Sequence, residues 1–245
     1  MPSGIFLRAD MRIAIMQPYF FPYLGYFQLI HAVDAFVFLD DVAFIKRGWI
    51  NRNRLALNGK ETWFTVPLEN QSQNKTIQNT FVCPQEFESW KRKFLQSLKH
   101  FYSKAPYFRC GETLVEDVLA TGGENMAALA ASSIEKCCCL LGIETKFATA
   151  SKDYPHEGLK SDVRLADICR RAGAGEYVNA PGGTRLYSKE QFESKGLRLH
   201  FLRPGNISYH AADTEHGMNF SILDAIMWCG PEEVGTDLVH RYELC

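Results

Sequence analysis

The chain has 245 residues, 46% of them apolar and 22% charged, which excludes wholesale disorder and leaves ample material for a buried core. Twenty-seven basic residues against 28 acidic ones give a formal net charge of −1, so no nucleic-acid surface is advertised and no DNA partner is expected. No apolar run approaches the roughly 18–20 residues that span a bilayer, and MPSGIFLRAD is too short and too mixed for a secretory signal. A cytoplasmic protein without a membrane partner is therefore expected.

Residues 1–10 read as a flexible leader, with one α/β domain from Met11 onward and a more irregular part from about residue 151. MRIAIMQP reads as an apolar strand stopped by Pro18. Tyr26–Ala32 reads as a short helix, and Ala35–Asp41 as a second strand. Neither strand alternates strictly, which favours a parallel sheet covered on both faces. Thr62–Leu68 is a further expected strand, and the polar QSQNKTIQN after it a loop or short edge strand. In Pro84–Tyr102 the residues Phe87, Trp90, Phe94, Leu98 and Phe101 recur at helical spacing. Leu114–Ala120 reads as a short helix. Met126–Leu141 reads as a strong one, capped by Gly142, with ETKFATA as the strand that follows. Ser161 or Asp162 can cap a helix running to Gly173. EYVNAPGG is expected as a strand ending in a glycine turn, Tyr187–Gly196 as a small helix, LRLHFLRPG as a strand and Ser221–Gly230 as a helix. The last residues read as polar and partly helical. The expected class is α/β: a Rossmann-like parallel sheet with helices on both faces and an irregular helical C-terminal part.

Four stretches can carry chemistry. The turn Gln17–Ile30 holds Tyr19, Tyr23 and Tyr26 around Gly25, directly after the first strand, where open parallel sheets bind ligands. Packing of this loop on its own domain explains the aromatics equally well. After the second strand come Asp40, Asp41, Arg47, Trp49, Asn51, Arg52 and Asn53. Arginine forks suit phosphate or carboxylate, the carboxylates suit proton transfer, and the asparagines suit a sugar or amide. A solvated charge run is the alternative. Lys160, Ser161, Asp162 and Arg164 surround an expected helix start that can meet an anion or merely cap itself. In NAPGGTRLY, Gly182 and Gly183 can offer backbone donors near Arg185 and Tyr187. His210 and His216 fall in a polar loop, where His210, or else His216, is a candidate general base. The eight cysteines, with Cys137, Cys138 and Cys139 consecutive, contain no Cys-x-x-Cys pair and read as small hydrophobes. No metal-ligand spacing is visible, so no metal is expected.

These residues carry a resemblance. Gln17-Pro18-Tyr19, Phe21-Pro22-Tyr23-Leu24-Gly25-Tyr26, Asp40-Asp41, Arg47 to Asn53, Thr65-Val66-Pro67, Lys104 to Phe108, Ser161 to Leu165, Tyr177 with Pro181-Gly182-Gly183, Tyr187 and Ser221 to Asp224 occur in order. From Met11 to about Gly230 the chain resembles the WbqC-like family of bacterial proteins. The resemblance implies an association with O-antigen, lipopolysaccharide and other surface-polysaccharide gene sets, where some members are labelled glycine or aminoacyl transferases. It also directs Asp224 toward a cleft. More distantly, Phe21 to Tyr26 resembles the Pro-x-His-x-Gly-His region of the nucleotidylyltransferases and their HUP-type fold. Tyr23 and Tyr26 stand where that family has two phosphate-binding histidines.

The expected activity is transfer of a small acyl or aminoacyl group, glycyl included, to an amino group of a nucleotide-linked sugar. Asp40 or Asp41 would orient or deprotonate the amine, and Arg47 and Arg52 would grip an anion. Trp49 and Tyr23 would stack on the substrate; Asn51, Asn53 or the Gly182-Gly183 backbone would donate to the oxyanion. The donor stays open, with aminoacyl-tRNA among the candidates, and no resident cofactor is evident. The alternatives are a nucleotidylyltransferase with an altered phosphate clamp and a non-catalytic sugar-nucleotide-binding protein.

Overall fold

A computed structural model describes residues 8–57, 60–120, 125–205, 209 and 220–245. The strands are β1 (Arg8–Met16), β2 (Ala35–Phe38), β3 (Arg52–Leu57), β4 (Lys60–Thr65), β5 (Lys146–Thr149), β6 (Ala174–Asn179), β7 (Arg198–Pro204) and β8 (Tyr242–Leu244). Six of them form the central sheet in the order β5-β2-β1-β6-β7-β8, while β3 and β4 pair as a separate antiparallel hairpin. All neighbours in the central sheet are parallel except β7 and β8. The expected mostly parallel, Rossmann-like α/β sheet is what the chain forms.

The helices are α1 (Leu24–His31), α2 (Pro84–Tyr102), α3 (Phe108–Ala120), α4 (Met126–Leu141), α5 (Ala150–Asp153), α6 (Ser161–Ala172), α7 (Lys189–Glu193), α8 (Ile222–Cys229) and α9 (Pro231–Thr236). The strand pleat sends successive side chains to opposite faces. Ala14, Phe36 and Phe38 join the core built with α1, α2, α3, α4 and α8, whereas Ile13, Ile15 and Val37 join the core built with α6 and α7. Both faces of the sheet are thus covered, and its strands read as apolar runs for that reason. No described helix is long and apolar enough to cross a membrane.

Local chemistry sets the element ends. Asn125 caps α4 by accepting from the Ala128 N–H at 3.1 Å, and Gly142 ends it in the left-handed region at φ 70°. Ser188 and Gln191 form a reciprocal capping box at α7.

The structure departs from the expected elements in four places. β1 begins at Arg8, ahead of Met11, with an irregular register against β6 between Arg8 and Arg12. Helix α3 begins at Phe108 rather than Leu114 and so contains Gly111, where the close approach of α8 leaves no room for a side chain: a β-carbon there would lie 2.6 Å from Cγ of Met227. Residues 52–54, read as the end of the charged run after the second strand, open β3. Asn53 and Leu55 face inward, while Arg52 and Arg54 lie with Trp63 on the outer face. The polar tail contributes β8, whose end is tied to β7 by a reciprocal pair of backbone bonds between Phe201 and Cys245 at 2.8 and 3.0 Å. An edge strand pairs on one side only, so its short sequence carries little strand signal.

Candidate functional site

From β1 the chain order moves outward in two directions, to β2 and β5 on one side and to β6 and β7 on the other. The loops that leave the carboxyl ends of β1 and β6 therefore separate, and open parallel sheets bind their ligands in the crevice between them. Here that crevice is a cleft of about 500 Å³. Gln17, Tyr19, Tyr23, Gly25, Tyr26, Trp49, Gly182, Gly183 and Tyr187 line it, all of them expected binding residues. The first turn and the glycine turn, far apart in sequence, are thus brought together.

The aromatic turn divides its rings between two tasks. Phe20 and Phe21 are fully buried, each contributing about 1.5–3 kcal/mol of apolar burial, while Tyr19 and Tyr23 remain half-buried at the cleft wall. Phe21 holds a positive φ of 42°. Its backbone is secured by Ser133 Oγ, which accepts from its N–H at 3.0 Å. Asn53 Nδ2 and Ser221 Oγ donate to its carbonyl at 2.7 and 2.8 Å. Gly25 lets the Tyr23 ring lie over the start of α1, since a β-carbon there would be 2.5 Å from Cε2 of Tyr23. The Tyr26 hydroxyl donates to the Gln17 carbonyl at 2.8 Å, and its ring lies 5.5 Å from that of Tyr19. Burial pushes the Tyr19 phenol up to about 12, helped by Tyr23, and raises Tyr23 and Tyr26 as well. All three are neutral near pH 7 and can donate hydrogen bonds.

The opposite wall comes from β6 and the turn after it. Asn179 is buried at the strand end, and its Oδ1 accepts from the Ala180 N–H at 2.8 Å. A β-carbon on Gly183 would collide with the Asn179 amide group, so this glycine is required by that side chain. The Tyr187 phenol is raised by burial and then by Asp162, against a lowering influence of Ser161 at the start of α6. Ser161 has φ 53°, and Asp162 pairs with Lys195 at 2.8 Å. Lys160 and Arg185 are exposed and outside the cleft lining.

The charged residues after β2 are absent from the cleft lining. Asp40 is buried and accepts twice from Ser151, from its N–H at 2.9 Å and its hydroxyl at 2.6 Å. Asp40 borders a separate hollow of about 250 Å³ with Gln78 and Asn125. Asp41 pairs with Arg164 at 2.7 Å and His156 at 3.2 Å. Asn51 donates to the Val66 carbonyl at 2.8 Å, and Asn53 anchors the aromatic turn. Arg52 lies over Trp63 with its guanidinium carbon 4.2 Å from the ring centre. Arg47 is exposed at φ 59°. Asp224 is fully buried, accepting from Tyr102 at 2.5 Å and Tyr209 at 2.9 Å. The expectations for His210 and His216 fall outside the described residues.

No Asp, Glu, His, Lys or Arg lines the cleft among the described residues, so its polar groups are phenols, amides and backbone. No cluster of three or more potential metal-binding side chains occurs among them either. A hollow of about 640 Å³ at the amino ends of the strands, near His31, Asp34 and Lys146, is larger. Its Asp34 carboxylate accepts from the Arg12 N–H of β1 and its Thr145 hydroxyl donates to the Ile30 carbonyl of α1, so both polar groups fasten connecting loops to the framework. The splayed loops of the switch point favour the other end as the ligand site.

Asn179, Leu39, Leu165 and Leu186 also line the cleft, although the sequence reading gave none of them a binding role. Asn179 had a signal, since it ends a strand one residue before a Pro-Gly-Gly turn. The leucines had none, because a cleft-wall leucine and a core leucine look alike in sequence.

The profile of the WbqC-like protein family matches residues 17–236. The uncharacterized protein Rv1507c of Mycobacterium tuberculosis (strain ATCC 25618 / H37Rv) is 31% identical over 190 residues, covering 77% of this chain and 80% of that protein. No solved structure matches. The chain belongs to the WbqC-like protein family.

Proposed function

We propose that the chain is a transferase that binds a nucleotide-linked sugar in the switch-point cleft and passes a small acyl or aminoacyl group to the sugar's amino group. The observation that supports this is the uncharged, aromatic lining of the cleft. Tyr19, Tyr23 and Trp49 offer flat apolar faces to a base or pyranose ring, and Gln17, Asn179 and the neutral phenols offer hydrogen bonds around it. Such a cleft gains nothing from a ligand whose charge is buried, but it suits a neutral ring system.

The reaction asks little acid–base chemistry of this site. The amine lone pair attacks the donor carbonyl, the C–N bond forms and the bond to the leaving group breaks. The proton lost by nitrogen ends on solvent or on the departing group. Holding the two reactants together supplies most of the acceleration, and a phenol or amide N–H can stabilise the oxyanion. In this reading Asp40 and Asp41 hold the framework through Ser151, Arg164 and His156. The nucleotidylyltransferase alternative needs a cationic phosphate clamp, whereas Tyr26 spends its hydroxyl on Gln17. A non-catalytic sugar-nucleotide-binding role is favoured by the same lack of charged groups in the cleft, and is kept as the second reading.

A ligand screen followed by a turnover assay separates these readings. Amino-sugar nucleotides should raise the melting temperature as ligands of the native state do, and product should form when an acyl or aminoacyl donor is added. Binding without product selects the second reading. Failure of every nucleotide sugar to bind rejects both.

A further inference from the structure

We propose that the turn Lys46–Trp49, with Arg52 braced behind it, is a diphosphate-binding subsite at the mouth of the cleft. The ligand's identity rests on the nucleotide-sugar reading above; the new element is where the charged half of that ligand lies. A neutral cleft cannot by itself hold a diphosphate, so the anion must meet positive charge outside it.

Trp49 connects the two regions. It lines the cleft and stacks on Trp63 at 5.3 Å between ring centres and 27° between planes. Arg52 lies over Trp63 and donates its Nε to the Gly48 carbonyl at 3.0 Å and a second N–H to the Arg47 carbonyl. It thereby fixes the turn in which Lys46 and Arg47 project into solvent. Arg47 sits at φ 59°, a conformation disfavoured for a side-chain-bearing residue, and strain of this kind concentrates at binding loops.

The charge balance selects the ligand class. The acidic residues closest in sequence or on the hairpin are engaged elsewhere: Asp40 with Ser151, Asp41 with Arg164 and His156, and Glu61 with Arg54. No ion pair joins Lys46, Arg47 or Arg52 to a carboxylate among the described residues. None of the three cations is therefore neutralised by a carboxylate, and Lys46 and Arg47 are exposed two or three residues before Trp49, which lines the uncharged cleft. A diphosphate diester, with about two negative charges and many acceptor oxygens, matches them better than a single carboxylate. A polynucleotide matches less well, since about 6–10 phosphate contacts are usual there and the whole chain carries a net charge of −1.

The test compares uridine, thymidine and guanosine, their 5′-diphosphates and inorganic pyrophosphate by calorimetry and tryptophan fluorescence, on the full chain. The wild type is set against a Lys46→Gln/Arg47→Gly double variant. Glycine at the left-handed position preserves the turn, and a thermal melt checks the fold. The expected result is that the preferred diphosphate binds about tenfold or more tightly than its nucleoside. That advantage should shrink with added salt and vanish in the variant while nucleoside affinity holds. Equal affinity for nucleoside and diphosphate, or an advantage that survives in the variant, overturns the subsite and leaves the cleft reading standing. If no nucleoside binds yet pyrophosphate does, and the variant loses it, the anion subsite holds while the nucleotide-sugar reading fails. If pyrophosphate fails as well, both fall. Tighter binding of a single-stranded RNA oligomer than of any diphosphate also overturns the proposal.

Discussion

Both carboxylate oxygens of Asp40 are held by one residue, Ser151, whose N–H and hydroxyl reach them at 2.9 and 2.6 Å. The contact ties the end of β2 to the short helix α5 that follows β5, so it secures the loops on one side of the sheet. Removing the hydroxyl leaves a buried acceptor half-satisfied. Ser151→Ala should lower unfolding free energy by about 1–3 kcal/mol, read from urea denaturation. Nucleotide-sugar affinity should stay within about twofold, since neither residue lines the cleft. A selective loss of turnover at unchanged stability would give Asp40 a chemical part instead.

Two glycines are predicted to control the cleft. Gly25→Ala forces the Tyr23 ring off the start of α1, and Gly183→Ala pushes the Asn179 amide out of place. Each should weaken ligand binding by about tenfold or more, about 1.4 kcal/mol, in calorimetric titration. Unchanged affinity in both would show that the ligand lies elsewhere.

Asp224 predicts a pH dependence. Burial raises its carboxyl above the ordinary value, against the lowering effect of the hydrogen bonds from Tyr102 and Tyr209. A raised acid binds its proton more tightly in the folded state. Its favourable contribution is therefore complete below the unfolded carboxylate pKa and is lost as pH climbs through the raised folded value. Asp224→Asn removes that titration. The stability difference between the variant and the wild type should shift in the variant's favour as pH rises above the ordinary carboxylate value of about 4, measured by denaturant titration at a series of pH values. A difference independent of pH would contradict the raised value.

The thiols divide by burial. Cys137, Cys138 and Cys169 are buried, and burial raises all three, Cys169 to about 12, so they are poor nucleophiles. Cys139 and Cys245 are exposed. An aromatic disulfide reagent should titrate these two rapidly in the native protein and the three buried thiols only on unfolding. Rapid native-state labelling of Cys137 or Cys138 would place α4 differently.

The parallel sheet was legible because its strands are covered on both faces and therefore read as unbroken apolar runs: Ile13-Ala14-Ile15 and Phe36-Val37-Phe38 each serve two cores. The aromatic turn was legible from its place after the first strand, and Gly25 from the close approach it permits. What residues 40–54 do could not be read from composition. Asp40, Asp41, Asn51 and Asn53 look like reacting groups in sequence, yet their partners, Ser151, Arg164, Val66 and Phe21, come from distant segments or from backbone carbonyls. The hairpin was hidden for a related reason. Arg52 and Arg54 look loop-like until Trp63 on the paired strand gives their guanidinium planes a surface to cover. Asn179 is an intermediate case: its place at a strand end before the glycine turn is legible, whereas its packing against Gly183 is not.

The most direct measurement is a crystal structure of the chain soaked with the nucleotide sugar that ranks first in the binding screen. The account predicts density for the base or sugar ring between Tyr19, Tyr23 and Trp49 on one side and Asn179 and Gly182 on the other, at the carboxyl ends of β1 and β6. Density in the hollow beside Asp40 and Gln78, or among His31, Asp34 and Lys146 at the opposite end of the sheet, would contradict it.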